Sequence, residues 1–290
     1  MRKQPKKKKS GSGSTIVLLV ILVVGLSLLL YPTVSDYWNS FTQSRAVANY
    51  AEQLKNLDTA QYDKLWSDAQ AYNSDLAGLP NGVVLSKEME ARYYEQLAID
   101  DSGMMGLVEI PSIGVDLPIY HGTSDAVLQV AIGHLDWTSL PIGGEGTHCV
   151  ISGHRGLPSA KLFTHLDQLR EGDIFMLHVL DQTLTYEIDQ ILIVDPHEIH
   201  PLFIVEGEDY CTMVTCTPYG INSHRLLVRG SRIENLEEAK TVRITADAMQ
   251  IDPMIVAPMV AIPILLVLLV KLMLPKKKKE KAGESTHETP

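Results

Sequence analysis

Tyr210-Cys211-Thr212-Met213-Val214-Thr215-Cys216 is an apolar run of strand character, and Thr217-Pro218-Tyr219-Gly220 turns the chain directly after it. Arg225 follows the turn. Upstream, Val150-Ile151-Ser152-Gly153-His154-Arg155-Gly156 repeats the arrangement, a short apolar strand ending in polar punctuation. From residue 106 onward the chain continues this way, as short strands separated by Gly, Pro and Asp. Leu184, Tyr186 and Ile188 alternate with Thr185, Glu187 and Asp189, the period-2 pattern of a half-buried strand. Strands are expected near 106–110, 115–120, 126–132, 147–152, 173–180, 184–194, 210–216 and 225–233. About eight strands close into a small barrel whose interior is only wide enough for side chains. A substrate must then bind in an outer groove.

The polar residues at these strand ends carry chemistry. A thiol (Cys216), an imidazole (His154) and a guanidinium (Arg225) are the parts needed for acyl transfer through a thioester. The thiolate attacks an amide carbonyl, the histidine moves protons, and the arginine stabilises the developing oxyanion. A free thiol titrates near ~8.5, so a cationic neighbour is needed to hold a useful thiolate fraction at neutral pH. Composition alone favours a buried, inert strand cysteine. His134 in Gly133-His134-Leu135 is as good a candidate by pattern as His154, and Arg229 and Arg232 compete with Arg225. Strand alternation puts Arg225 and Arg229 on one face and Arg232 on the other, with Arg225 nearest the turn.

Thr212-Met213-Val214-Thr215-Cys216 with Arg225 resembles the signature of the sortases, with Met213 where leucine is usual. Leu117-Pro118-Ile119-Tyr120-His121-Gly122-Thr123, Ser139-Leu140-Pro141-Ile142-Gly143-Gly144, Gly153-His154-Arg155-Gly156-Leu157-Pro158 and Thr215-Cys216-Thr217-Pro218-Tyr219-Gly220-Ile221-Asn222 look like the pilin-polymerising, class C branch. The resemblance covers roughly 106–233. It implies a mostly β fold, an eight-stranded sortase-type barrel with short helices, preceded by N-terminal helices and flanked by two transmembrane helices. It selects His154, Cys216 and Arg225 as catalytic and leaves His134 structural. It also implies substrate contacts from Thr215, Thr217 and Tyr219. The implied reaction cleaves a Leu-Pro-x-Thr-Gly-like sorting signal between Thr and Gly and passes the acyl group to a pilin lysine. The implied partners are pilin subunits and membrane lipid. Attachment of surface proteins to cell-wall precursor is the alternative within the enzyme class, and a non-catalytic, membrane-tethered binding barrel the alternative outside it. Class C relatives usually carry an Asp-Pro-aromatic tripeptide that plugs the groove. The sequence between Trp66 and Gly106 has none, so segment 74–104 is expected to be a weak or absent gate.

Charge and hydropathy organise the ends. The chain is read as a basic tail (1–14), a signal-anchor (15–31), an extracellular helical region (32–104), the barrel (105–235), a linker (236–253), a second span (254–274) and a basic tail (275–290). Lysine clusters outside both apolar runs place both termini in the cytoplasm and the barrel outside. Taking the basic tails (1–14 and 271–290) from the net charge of −10 leaves −19 between them. So acidic a body excludes nucleic acid as a partner. Val47, Tyr50, Ala51 and Leu54, then Tyr62, Leu65, Trp66 and Ala69, recur at helical spacing, with Asp58 or Thr59 as the intervening N-cap.

Three cysteines in an exported chain leave at least one thiol free. The odd spacing of Cys211 and Cys216 sends them to opposite strand faces, which rules out a bridge between them, and Cys149 reads as a core residue. No Cys-x-x-Cys or His-x-x-x-His pair suggests zinc, and Glu206, Glu208 and Asp209 read as a solvated loop. No cofactor or metal is expected.

Overall fold

The structure, a computed structural model, describes residues 12–235. The expected linker 236–253 and second span 254–274 lie outside the described residues, and among the described residues one helix is long and apolar enough to cross a membrane.

That helix, α1 (Ser12–Asn56), runs without a break through Pro32 and past the expected boundary at residue 31. From Ile16 its first turns are apolar and none of their side chains is buried, as a bilayer-spanning segment would require. Its later turns lie on the barrel: Asn39 Nδ2 donates to Ser159 O at 2.8 Å and Gln43 Nε2 to Val130 O at 2.6 Å. Tyr50 is buried with Val47 and Leu54 against Met104 and Leu107, whereas Ala51, expected on the same stripe, faces solvent. Helix α2 (Thr59–Ala77) starts from an Asp58 capping box closed by Gln61, and α3 (Lys87–Glu95) starts from Ser86. Both present their apolar sides, Ala69, Tyr72, Leu76 and Tyr93, to the main core.

Eight strands follow: β1 (Met104–Ile110), β2 (Val115–His121), β3 (Ile132–His134), β4 (Thr147–Ser152), β5 (Ile174–Val179), β6 (Gln182–Val194), β7 (Asp209–Thr217) and β8 (His224–Ile233). They close in the order β1-β2-β3-β4-β7-β8-β6-β5. The β2/β3 and β4/β7 pairs are parallel and the rest antiparallel. The expected strand 126–132 is a difference. Ser124 caps a single helical turn, α4 (Asp125–Leu128), leaving only three residues for β3. A serine followed by an acidic residue starts a helix more readily than it continues a strand.

Along β7 the side chains alternate as expected. Cys211 and Met213 enter the barrel with Cys149 and Tyr186, while Val214 faces outward. Outside, Val150, Val214 and Leu227 from three adjacent strands form a second apolar cluster beneath Leu202 of the β6–β7 connection. His148 pins that connection, its Nδ1 2.9 Å from Phe203 O and its Nε2 2.7 Å from Thr212 Oγ1. Burial pushes His148 from the ordinary histidine value down to about 4.

A neutral buried imidazole makes the folded state bind fewer protons than the unfolded chain. Its stabilisation is therefore complete above about pH 6.5 and is lost as pH falls towards 4, amounting to on the order of 3 kcal/mol. Thermal unfolding followed between pH 7.5 and 4.5 should show this decline, and His148→Gln should make it shallower, leaving the part owed to His121, which burial also lowers. An equally steep decline in the variant would show that another group titrates.

Candidate active site

Strand register assembles the site. In the antiparallel β7/β8 pair, Cys216 lies directly opposite Arg225. In the parallel β4/β7 pair, Ser152 lies opposite Val214. The chain holds this register beyond β4: Gly153 N donates to Val214 O at 3.1 Å, and Thr215 Oγ1 donates to Gly153 O at 2.8 Å. His154, two positions past Ser152, therefore arrives level with Cys216, two positions past Val214. The three expected catalytic residues share one rim of the barrel, and each is partly exposed.

Local sequence explains why His154 sits there. A Cβ on Gly153 would come within 2.5 Å of Ile132 Cδ1 and 2.8 Å of Phe163 Cδ2, so only glycine lets the backbone run this close to the core. Immediately after it, His154 O accepts from Phe163 N at 3.1 Å, folding the next loop back under the histidine. On the other strand, Arg225 Nη1 donates to the carbonyls of His224 at 3.2 Å and Asn222 at 3.4 Å. Arg229 is occupied differently. It forks onto Asp189 at 3.0 and 2.8 Å and lies 4.1 Å over the Tyr210 ring, while Arg232 lies 5.7 Å over Tyr186. Arg229 is thus committed to a carboxylate, whereas Arg225 is bonded to backbone carbonyls.

His134 separates cleanly from His154. It is wholly buried, with Tyr93 Oη 3.0 Å from its Nδ1 and Ser139 O 2.8 Å from its Nε2. Cys149 and Cys211 are buried register partners inside the barrel, whereas Cys216 reaches the surface. Asp209, expected in a solvated loop, instead begins β7 and accepts from Gly144 N at 2.8 Å and Tyr186 Oη at 3.0 Å. Burial raises its carboxyl above the usual carboxylate range.

The expected substrate contacts fall into two groups. Thr215 and Thr217 are buried, and their hydroxyls meet Gly153 O and the Arg155 guanidinium. Tyr219 is 59% exposed, with Ile221 beyond it, in the β7–β8 connection beside Cys216.

Segment 74–104 is also divided. Tyr93 and Leu97 are fully buried, and Tyr93 Oη accepts from Gly122 N at 2.9 Å, so α3 is part of the core and not a detachable gate. Between α2 and α3, Asn81 Oδ1 accepts from Ile204 N at 3.1 Å, and Val84 is 91% exposed. The sequence reading gave no role to Arg155. Its adjacency to His154 was the available signal.

Residues 108–233 match the family model for the sortase domain. The crystal structure of sortase C1 from Streptococcus agalactiae is 47% identical with a TM-score of 0.65, covering 66% of this chain and 100% of that one. Sortase C of Streptococcus pneumoniae, a structure described in terms of catalysis and pilin substrate specificity, is 44% identical with a TM-score of 0.58, covering 66% and 97%. Sortase D of Bacillus subtilis is 30% identical over 131 residues, 44% of this chain, and the chain spans 63% of that relative's length.

The burial pattern makes a direct chemical prediction. A small alkylating reagent applied to the native chain should modify Cys216 alone, giving a single adduct by mass spectrometry. Unfolding in denaturant should expose all three thiols. Labelling of Cys149 or Cys211 before unfolding would contradict the described packing.

Proposed function

Because the chain belongs to the sortase family, we propose that it is a membrane-held cysteine transpeptidase that links pilin subunits outside the cell. The observation that supports this reading is the strand register, which sets Cys216 opposite Arg225 and ends β4 with Ser152 opposite Val214, two residues short of His154 and of Cys216 respectively.

In the reaction, the Cys216 thiolate attacks the threonyl carbonyl of a Leu-Pro-x-Thr-Gly-like sorting signal. Arg225 donates to the oxygen as negative charge develops on it, or to the neighbouring substrate backbone, with a fixed positive charge that needs no reorganisation. His154 gives a proton to the departing glycine amine, the C–N bond breaks, and a threonyl thioester remains on Cys216. A pilin lysine ε-amine then loses a proton to His154 and attacks the thioester. The C–S bond breaks, and an isopeptide bond joins the two subunits. The apolar cluster of Val150, Val214 and Leu227 lies on the outer face that carries Cys216, covered by Leu202 of the β6–β7 connection. Tyr219 and Ile221 offer exposed apolar contacts at the rim.

The proposed topology has two spans, 15–31 and 254–274, with both termini in the cytoplasm and the barrel outside. The exposed apolar turns of α1 support the first span. The lysines after residue 270 support the second.

Mixing the full chain in detergent micelles with purified pilin subunits should give a ladder of covalent multimers. Cys216→Ala should abolish both the ladder and the acyl adduct on the enzyme. His154→Ala and Arg225→Ala should each lower turnover by roughly 100-fold or more. Multimers formed by the Cys216→Ala protein would sink the mechanism. Transfer only to a cell-wall precursor amine, with no pilin ladder, would sink the choice of acceptor.

A further inference from the structure

The residue after His154 is tied to the residues after Cys216 by a charged bridge that the reaction above does not use. The Arg155 side chain is only 9% exposed. Its Nη2 pairs with Asp167 Oδ2, and its Nη1 donates to Thr217 Oγ1 at 3.4 Å. The guanidinium also lies 5.8 Å from the centre of the Tyr219 ring. Its Nε–H is buried and without a hydrogen-bond partner among the described residues, so the terminal nitrogens and the ring set the position of the group.

Each end of the bridge is anchored. Asp167 sits in a short helical turn, Leu166–Gln168, whose Leu166 and neighbouring Phe163 and Leu169 are in the main core. Thr217 ends β7, one residue after Cys216, with its side chain turned inward. A second strut runs alongside. Gly156 has φ +76°, and a Cβ there would lie 2.8 Å from Tyr219 Cε2, so the Tyr219 ring rests on the backbone just past His154. Gly156 N in turn donates to Thr164 Oγ1 at 3.1 Å, in the loop that carries Asp167.

We propose that Arg155 is a positioning residue. Through Asp167, Thr217 and Tyr219 it locks the His154 loop to the end of the Cys216 strand, holding the imidazole in line with the thiol. Sheet register alone brings the two strands level, but His154 lies beyond the last ladder pair, where nothing else in the ladder fixes it. A planar fork suits this task. It addresses a carboxylate and a hydroxyl at once while its charge lies over an aromatic ring, a set of contacts that the single ammonium of lysine cannot reproduce. A displacement of about 1 Å between reacting groups costs as much as ~100-fold in rate.

The proposal rests on Cys216 and His154 acting as described, and the test keeps the two questions apart. The full chain in detergent micelles is assayed for transfer of a sorting-signal peptide to an amine, alongside Arg155→Lys, Arg155→Ala, Asp167→Asn and Cys216→Ala. Arg155→Lys keeps the charge and loses the fork. It should lower kcat by roughly 10- to 100-fold while KM for the peptide stays within about threefold and the melting temperature is retained. Asp167→Asn should lower kcat in the same way and by a smaller factor. Unchanged kcat in folded Arg155→Lys, or a loss confined to KM, overturns the proposal. If an arginine variant does not fold, Asp167→Asn decides by the same criteria. Activity surviving in Cys216→Ala would count against the cysteine mechanism itself and not against the bridge.

Discussion

The parallel pairing of β4 with β7 is the constraint on which the rest of the molecule depends. Parallel neighbours cannot be joined by a tight hairpin, so the residues between them must travel elsewhere and return. Here the excursion includes β5, β6 and the long connections that carry Asp167 and Phe203. What returns is a strand in fixed register with β4, and the fixed register sets Ser152, two residues before His154, opposite Val214, two residues before Cys216. Thr215 extends the agreement one step past the ladder by donating to Gly153 O. A one-residue slip of β7 would turn Cys216 into the barrel and Thr215 out of it.

A second layer of the structure works from behind the rim. Tyr93, delivered by α3, meets Gly122 N, His134 and the His121 ring in one buried cluster. Burial holds His121 below the ordinary histidine value, while its two ring nitrogens lie 3.0 Å from Gly103 O and 2.9 Å from Gln96 O. Polar groups placed this deep must be paired to be tolerated. Their pairing joins the helical region to β2 and β3, so the helices before the barrel are part of its fold and not a separate stalk.

Much of this was legible in the sequence because β structure writes itself in alternation. Leu184, Tyr186 and Ile188 marked β6, and the odd spacing of Cys211 and Cys216 correctly separated a core thiol from a surface one. The family signature did what spacing cannot. It distinguished His154 from His134, two Gly-His pairs that differ only in tertiary surroundings. Segment 126–132 misled because a capping serine is a local signal that overrides weak strand character. Arg155 went unassigned because its partners, Asp167, Thr217 and Tyr219, come together only through the long loop and the β7–β8 turn. Asp209 looked solvated because nothing in a run of acidic residues shows which one will face Tyr186 and Gly144.

The unbroken course of α1 has a mechanical meaning. Asn39, which grips Ser159 in the loop below His154, lies eight residues beyond Tyr31, about 12 Å at the rise of an α-helix. No swivel separates the apolar turns from this grip, so the helix acts as a crankshaft. One residue inserted between them would rotate everything above by about 100° and lift it by about 1.5 Å. The direction in which the rim carrying Cys216 faces, relative to the apolar turns, is thus set by the winding of a single helix.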